Sequence, residues 1–243
     1  MQRKIVKTAD GSTTIHLPEW DEQYHSKHGA IQEAYHVFVK HGLHYFVELK
    51  QSEASQKTKD DIVVGESEKS NNISILEIGF GTGLNAFITL LEAEKLKTNM
   101  VYSGVEAYPV LMDEINQLNY PIELKAEDKS AIFKELHEVS WEALHKITRH
   151  FSLKKQKRFF SEIKEKSHYN IIYFDAFGAR VQPELWTESI FQNMYDALKV
   201  NGVLVTYSAK GSVRRAMEAV GFKVQRLPGP PGKREMLRAC KKA

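Results

Sequence analysis

Leu76-Glu77-Ile78-Gly79-Phe80-Gly81-Thr82-Gly83-Leu84-Asn85 is the stretch that decides how this 243-residue chain is read. An acidic residue stands before three alternating glycines. Upstream, Ile73-Ser74-Ile75-Leu76 is a short apolar run of strand type; downstream, Leu84, Phe87, Ile88, Leu90 and Leu91 recur at helical spacing. A strand that turns through glycines into a helix lets backbone approach a ligand closely, because no Cβ intervenes and the helix N-terminus offers free N–H groups. The dinucleotide form of such a loop sets its third glycine three residues after the second and carries its acid a strand later. Here Gly83 follows Gly81 by two residues, and Glu77 already stands in front.

Outward from that loop the chain alternates strands and helices, the pattern of an α/β domain with a mostly parallel, doubly wound sheet. The strands read as Ile73–Ile78, Val101–Glu106, Ile171–Asp175 and Val203–Tyr207, with Phe222–Leu227 and Glu235–Ala239 as a final pair. Nearer the N-terminus, Thr13–Leu17 reads as a strand and Ile31–Lys40 as a helix, while Leu43–Glu48 fits either. Residues 51–72 are rich in Ser, Lys, Glu and Asp and read as a polar linker, with Ile62-Val63-Val64 the place for one short strand. The expected organisation is a small N-terminal extension (1–50), the linker (51–72) and a main domain (73–243). Ligands of such sheets lie outside the carboxyl ends of the strands. Glu77, Glu106 and Asp175 all fall at or near such ends.

The E-x-G-x-G-x-G loop resembles the cofactor loop of class I S-adenosylmethionine methyltransferases. Asp175-Ala176-Phe177-Gly178, Pro183-Glu184-Leu185-Trp186-Thr187, Gly211-Ser212-Val213-Arg214-Arg215 and Gly229-Pro230-Pro231-Gly232-Lys233-Arg234-Glu235-Met236-Leu237 sharpen the likeness. This series resembles the bacterial tRNA 5-aminomethyl-2-thiouridine methyltransferases, which finish the modified wobble uridine of some tRNAs. The match runs from about Asp10, through Tyr24-His25-Ser26 and Glu33, to Arg238, and weakens between Glu53 and Ser70 and between Leu111 and Lys166. It implies a Rossmann-like class I domain with a C-terminal antiparallel strand, S-adenosylmethionine as cofactor, tRNA as partner, and methylation of the exocyclic aminomethyl nitrogen. Two positions depart from the family pattern. Ala179 replaces a usual proline, and Phe151–Phe160 lacks the acid that meets adenine after the third strand.

The resemblance assigns roles residue by residue. Gly79, Phe80, Gly81, Thr82, Gly83, Leu84 and Asn85 would surround the cofactor, with Glu77 supporting the loop and the cofactor's amino-acid end. Asn85 serves equally as a helix cap, and Phe80 and Leu84 equally as packing. Glu106 is placed for the ribose hydroxyls, its plain alternative being a solvated strand-end carboxylate. Asp175 is the catalytic candidate, close to the cofactor: methyl transfer is an in-line displacement, and a carboxylate there can hold an amine and take its proton. Phe177 would wall a flipped base or equally pack the helix starting near Thr187 against the sheet, whereas Trp186 reads as packing. Lys210, Arg214, Arg215, Lys233 and Arg234 are candidates for tRNA phosphates. The denser run Lys154, Lys155, Lys157 and Arg158 could also touch tRNA phosphates, but reads rather as a solvated face.

Composition narrows the rest. Hydrophobic residues make up 42% of the chain and the formal charge is +3, so nucleic-acid binding must rest on local patches. A single cysteine, no signal-peptide pattern and no apolar run of membrane length point to the cytosol, with no membrane partner. H-E-x-x-H, G-x-S-x-G and P-loop patterns are missing, so metal, hydrolase and NTPase readings fall away. With no second glycine-rich strand-turn-helix unit, no flavin is expected. A methyltransferase or a spermidine-synthase-like aminopropyltransferase acting on a small amine, and a non-catalytic RNA-binding protein of this fold, stay open.

Overall fold

The structure is a computed structural model and describes residues 2–57 and 72–242. Three short strands, β1 (Lys4–Lys7), β2 (Thr13–Leu17) and β3 (Glu22–Gln23), form a small antiparallel sheet. A continuous helical run follows: α1 (Ala30–Ala34), a π-helical stretch over Tyr35–His44, and α2 (Tyr45–Lys57). The eight-stranded main sheet comprises β4 (Ile73–Ile78), β5 (Met100–Val105), β6 (Leu144–Lys146), β7 (Phe151–Gln156), β8 (Tyr169–Phe174), β9 (Leu198–Thr206), β10 (Lys223–Pro228) and β11 (Glu235–Cys240). Its order is β10-β11-β9-β8-β4-β5-β7-β6. Strands β7, β5, β4, β8 and β9 run parallel, β11 lies antiparallel between β9 and β10, and β6 pairs antiparallel with β7.

Side-chain alternation explains why this sheet is covered on both faces. Ile75, Tyr173 and Val205 pack with the helical run and with α3 (Leu84–Leu96), while Leu76, Ile172 and Leu204 pack against α7 (Glu188–Ala197) and α8 (Gly211–Ala219). Parallel strands buried on two sides need apolar residues at successive positions, as Ile171-Ile172-Tyr173-Phe174 supplies. The short helices α4 (Met112–Ile115) and α5 (Tyr120–Glu123) and the longer α6 (Ser130–Glu138) fill the connection from β5 to β6.

The N-terminal segment is part of this layering. Val37, Phe38 and Leu43 belong to the same core as Ile75 and Tyr173. At Gly42 a Cβ would stand 2.9 Å from Val205 and 3.2 Å from Tyr173, so the missing side chain lets the helix lie directly on the sheet. Leu43–Glu48, open between helix and strand in the sequence, is helical. The helix also passes position 51, where the linker was expected to begin, and continues to Lys57. The remainder of that linker, with Ile62-Val63-Val64, lies outside the described residues.

Strands β1, β3, β6 and β7 were not anticipated. The basic run read as a solvated face contains β7, and Lys155 within it is 1% exposed. Its ammonium donates to the His137 carbonyl and lies 4.9 Å from the centroid of the Trp141 ring. Burial holds its pKa down at about 8. Alternation along β7 places Phe151 and Leu153 in the core with Lys155 in line behind them.

Candidate active site

Strand order reverses beside β4, with all of these strands parallel: from there it runs outward to β5 and β7 on one side, and to β8 and β9 on the other. A crevice opens at the carboxyl ends of strands placed this way. The glycine loop bridges it, with φ of +89° at Gly79 and +50° at Gly81, a region that side chains with a Cβ resist. A Cβ on Gly79 would meet the Asp175 carbonyl at 2.7 Å, and one on Gly81 would meet the Tyr24 ring at 3.0 Å. The N–H groups of Gly79 and Phe80 both donate to the Val105 carbonyl at 3.0 Å, fixing the loop to the end of β5.

Three acids gather around that loop. Glu106 accepts from the Gly81 N–H at 3.1 Å through one oxygen and from the Tyr108 N–H at 2.9 Å through the other. Glu77 is fully buried, and its carboxyl is pushed well above the usual range, chiefly by loss of water and partly by the nearby Asp175 charge. The Asn85 amide donates both of its hydrogens, one to Glu77 at 2.9 Å and one to Asp175 at 2.8 Å. Asn85 therefore bridges two carboxyls, a task that neither helix capping nor cofactor contact had suggested. Glu77 Oε2 and Asn85 Oδ1 are buried without a partner.

Asp175 titrates at about 7. Burial raises it most and the Glu33 charge raises it further, against the opposing pull of the Asn85 hydrogen bond and the Lys233 charge. A carboxyl poised there both accepts and releases a proton near neutral pH.

The N-terminal segment builds the opposite wall. Trp20 and Tyr24 meet Phe177 edge-on, at centroid distances of 5.6 and 5.0 Å. Arg180 clasps this wall from outside, donating to the carbonyls of Trp20 and Asp21 at 2.8 and 3.0 Å and to Glu22 at 2.9 Å. Deeper in, Lys233 pairs with Glu33, whose second oxygen accepts the Ser26 N–H at 3.0 Å. Together these surfaces enclose a cleft of about 1220 Å³ reached by Tyr24, Glu33, Glu106, Asp175, Phe177 and Lys233.

Of the residues expected around the cofactor, Glu77, Gly79, Phe80, Gly81, Leu84, Asn85, Glu106 and Asp175 line this cleft. Thr82 and Gly83 do not: the Thr82 hydroxyl is buried against the Tyr120 hydroxyl at 3.0 Å, and Gly83 backs onto His137. Among the expected phosphate contacts only Lys233 lines the cleft, and it is spent on an internal ion pair. Lys210, Arg215 and Arg234 are exposed outside it, and Arg214 pairs with Glu218 one helical turn away at 3.6 Å. Trp186 is buried as packing, its indole donating to the Phe177 carbonyl at 2.8 Å. Tyr24, Glu33 and Tyr207 were not read as site residues. Tyr24 and Glu33 lie in stretches matching the family, but no strand-end pattern marks them. Among the described residues no three His, Cys, Asp or Glu are arranged to hold a metal, and no helix is long and apolar enough to cross a membrane.

Comparison with known proteins agrees with this geometry. The family model of S-adenosyl-L-methionine-dependent methyltransferases matches residues 130–242. The chain is 26% identical over 239 residues to the tRNA 5-methylaminomethyl-2-thiouridine biosynthesis bifunctional protein MnmC of Leptospira interrogans, covering 90% of this chain and 32% of that protein. The protein of the same description from Hydrogenovibrio crunogenus is 23% identical over 227 residues, covering 89% of this chain and 31% of the relative. The chain thus spans about a third of the length of the curated relatives it matches. Among solved structures, MNMC2 from Aquifex aeolicus superposes with a TM-score of 0.71 at 27% identity, covering 100% of this chain and 71% of the other. Glycine cradle, strand order and matched profile define a class I S-adenosyl-L-methionine-dependent methyltransferase. Within that class, the chain is similar to the methyltransferase portion of the MnmC proteins.

Proposed function

We propose that this enzyme methylates the exocyclic aminomethyl nitrogen of a uridine or 2-thiouridine at the wobble position of tRNA, in the cytoplasm. The observation that carries the proposal is the position of Asp175. It sits where the glycine cradle and the aromatic wall meet, and its proton affinity suits an aliphatic amine that must shed a proton near neutral pH.

The site suits S-adenosylmethionine on two counts. Gly79 and Gly81 let the loop turn tightly beside the cleft, where a Cβ would collide with the Asp175 carbonyl and the Tyr24 ring, and the unpartnered Glu77 Oε2 and Asn85 Oδ1 await donors such as an ammonium group. Gly79, Phe80, Gly81 and Leu84 would hold the cofactor's amino-acid end, and Glu106, already oriented by two N–H bonds, would accept the ribose hydroxyls. When bound, the cofactor supplies a methyl group on a sulfonium, open to in-line displacement by a neutral amine.

The chain's own residues prepare that amine. Asn85 fixes Asp175 through Oδ2, which leaves Oδ1 for the acceptor. Asp175 takes one proton from the ammonium and frees the nitrogen lone pair. Phe177, Tyr24 and Trp20 offer ring edges and faces against which a flipped base can rest, while keeping water from the reacting atoms.

A small amine as acceptor is the second reading, favoured by one observation: four of the five expected phosphate contacts lie outside the cleft. The deciding experiment incubates the protein with labelled S-adenosylmethionine and bulk tRNA from a strain lacking this methylation, followed by nucleoside analysis. Label in a methylaminomethyl uridine is expected. Folded, cofactor-binding protein that labels free amines but no tRNA nucleoside would replace the first reading by the second.

A further inference from the structure

The cleft already holds an alkylammonium, and it is the protein's own. Lys233 reaches in from the turn between β10 and β11, pairs with Glu33, and lies 3.8 Å from the centroid of the Tyr207 ring. Glu33 is only 7% exposed and is held by the Ser26 N–H, so its carboxylate cannot turn to bulk water. The Tyr207 ring is fixed in turn, its hydroxyl donating to the Ala176 carbonyl at 2.8 Å, next to Asp175 in sequence. One buried carboxylate, one ring face and a second carboxyl close by make a receptor for a primary ammonium: the carboxylate takes N–H donors and the ring takes the remaining charge. Lys233 is loosely held by comparison. Its side chain is 31% exposed, and its turn is closed by main-chain bonds, Lys233 N–H to the Pro230 carbonyl at 2.9 Å and Gly229 N–H to the Arg234 carbonyl at 3.0 Å, which do not involve the ammonium.

We propose that Glu33 and the Tyr207 ring form the seat of the acceptor's protonated amine, and that Lys233 is a place-holder which the amine displaces. This rests on the reading of the acceptor as an amine. A buried carboxylate left without a cation is costly, and Lys233 keeps Glu33 paired while the cleft is empty. An incoming ammonium exchanges with it charge for charge, so neither state leaves Glu33 unpaired, and the lysine stem swings out to the rim. From this seat the amine's proton passes to Asp175, which already senses both partners: Glu33 raises it and Lys233 lowers it. Neutral groups of the same shape gain nothing from the seat, so Glu33 determines specificity for a cationic acceptor. The occupied seat also sets a cost, since acceptor affinity is reduced by the fraction of molecules in which Lys233 is bound.

The test uses the whole protein at pH 8 and two readouts, acceptor KM with tRNA bearing the free aminomethyl group, and binding of n-propylammonium followed by NMR. Lys233→Met keeps the stem and removes the competitor. It should lower KM by about threefold to tenfold and tighten propylammonium binding by a similar factor, as expected when a self-occupied state is removed. Glu33→Gln should raise KM and weaken propylammonium by at least about tenfold, the usual result of losing a buried charged partner. Lys233→Arg, which keeps the ion pair, covers the case in which Lys233→Met fails to fold, and it should leave propylammonium binding no tighter than wild type. A rise in KM for Lys233→Met would overturn the inference, as would propylammonium binding indifferent to Glu33→Gln. Propylammonium binding requires no tRNA. Seat-dependent binding without tRNA labelling would therefore defeat the RNA reading alone, and tRNA labelling with a raised KM in Lys233→Met would defeat the seat alone.

Discussion

Asp175→Asn should abolish most activity and yet stabilise the protein. The carboxyl titrates at about 7 in the fold against an ordinary 3.8, with burial the largest cause and the Glu33 charge the second. A raised carboxyl pKa means that the native state holds the proton more tightly than the unfolded chain does. The stability that goes with neutral Asp175 is complete below about pH 3.8, declines as pH rises from there towards 7, and is lost above. Three units at about 1.4 kcal/mol each set an upper bound near 4 kcal/mol, and the side chain faces a wet cleft, so about 2 kcal/mol is the working figure. Asparagine keeps the shape, still accepts the Asn85 hydrogen bond and carries no charge. Thermal unfolding followed by circular dichroism should show the variant higher by about 4–8 °C at pH 8, with the gap closing near pH 4. Turnover should fall by about two to four orders of magnitude, the range for losing a general base. In the wild type, kcat should climb with pH and level off above about 7, losing about tenfold per unit below. A variant less stable at pH 8, or one that turns over near the wild-type rate, would refute the assignment of Asp175 as a strained, functional base.

Two further outcomes follow from the geometry. Gly81→Val forces a branched residue to φ +50° with its Cβ 3.0 Å from Tyr24, and should weaken S-adenosylmethionine by at least about 100-fold in calorimetry while the circular dichroism spectrum is kept; undiminished affinity would remove the loop from the cofactor site. Arg214→Ala with Arg215→Ala tests the C-terminal face: Arg214 is tied to Glu218 and Arg215 is free to meet a phosphate, so the slope of log affinity for tRNA against log salt should flatten by roughly 0.7–0.9, one contact's worth, and an unchanged slope would take helix α8 out of the RNA interface.

The parts of the site legible in the sequence are those set by neighbours in the chain. Strand, glycines and helix from Ile73 to Leu96 declare themselves locally, and the apolar runs of β4, β5 and β8 stop at or next to Glu77, Glu106 and Asp175, which places these acids at strand ends. The acceptor side is different in kind. Glu33 and Lys233 meet only because the helical run lies down on the sheet, an approach that depends on Gly42 lacking a side chain, and no spacing rule announces that contact. Strand β7 hides behind its charges: Lys155 looks solvated by composition, but the His137 carbonyl and the Trp141 ring take its ammonium inside. The helix end at Gln51–Lys57 is likewise invisible, since its polar residues show no apolar stripe to read.

The division of labour in the cleft follows from this origin. The carboxyl ends of β4, β5 and β8 supply the glycine cradle, Glu106 and Asp175, at the crevice where a sheet of this order binds its ligands. The segment from Trp20 to Glu33 and the turn holding Lys233 supply rings, a buried carboxylate and a cation, groups suited to choosing what is methylated. Asn85 stands at the seam. Its single amide donates to Glu77 on the cofactor side and to Asp175 on the acceptor side, and both hydrogens are committed. Two carboxyls sharing one amide cannot both ionise cheaply in a buried place, and burial pushes both of them up. Asp175, raised to about 7, exchanges its proton near neutral pH, and it stands at the end of the bridge that faces the acceptor.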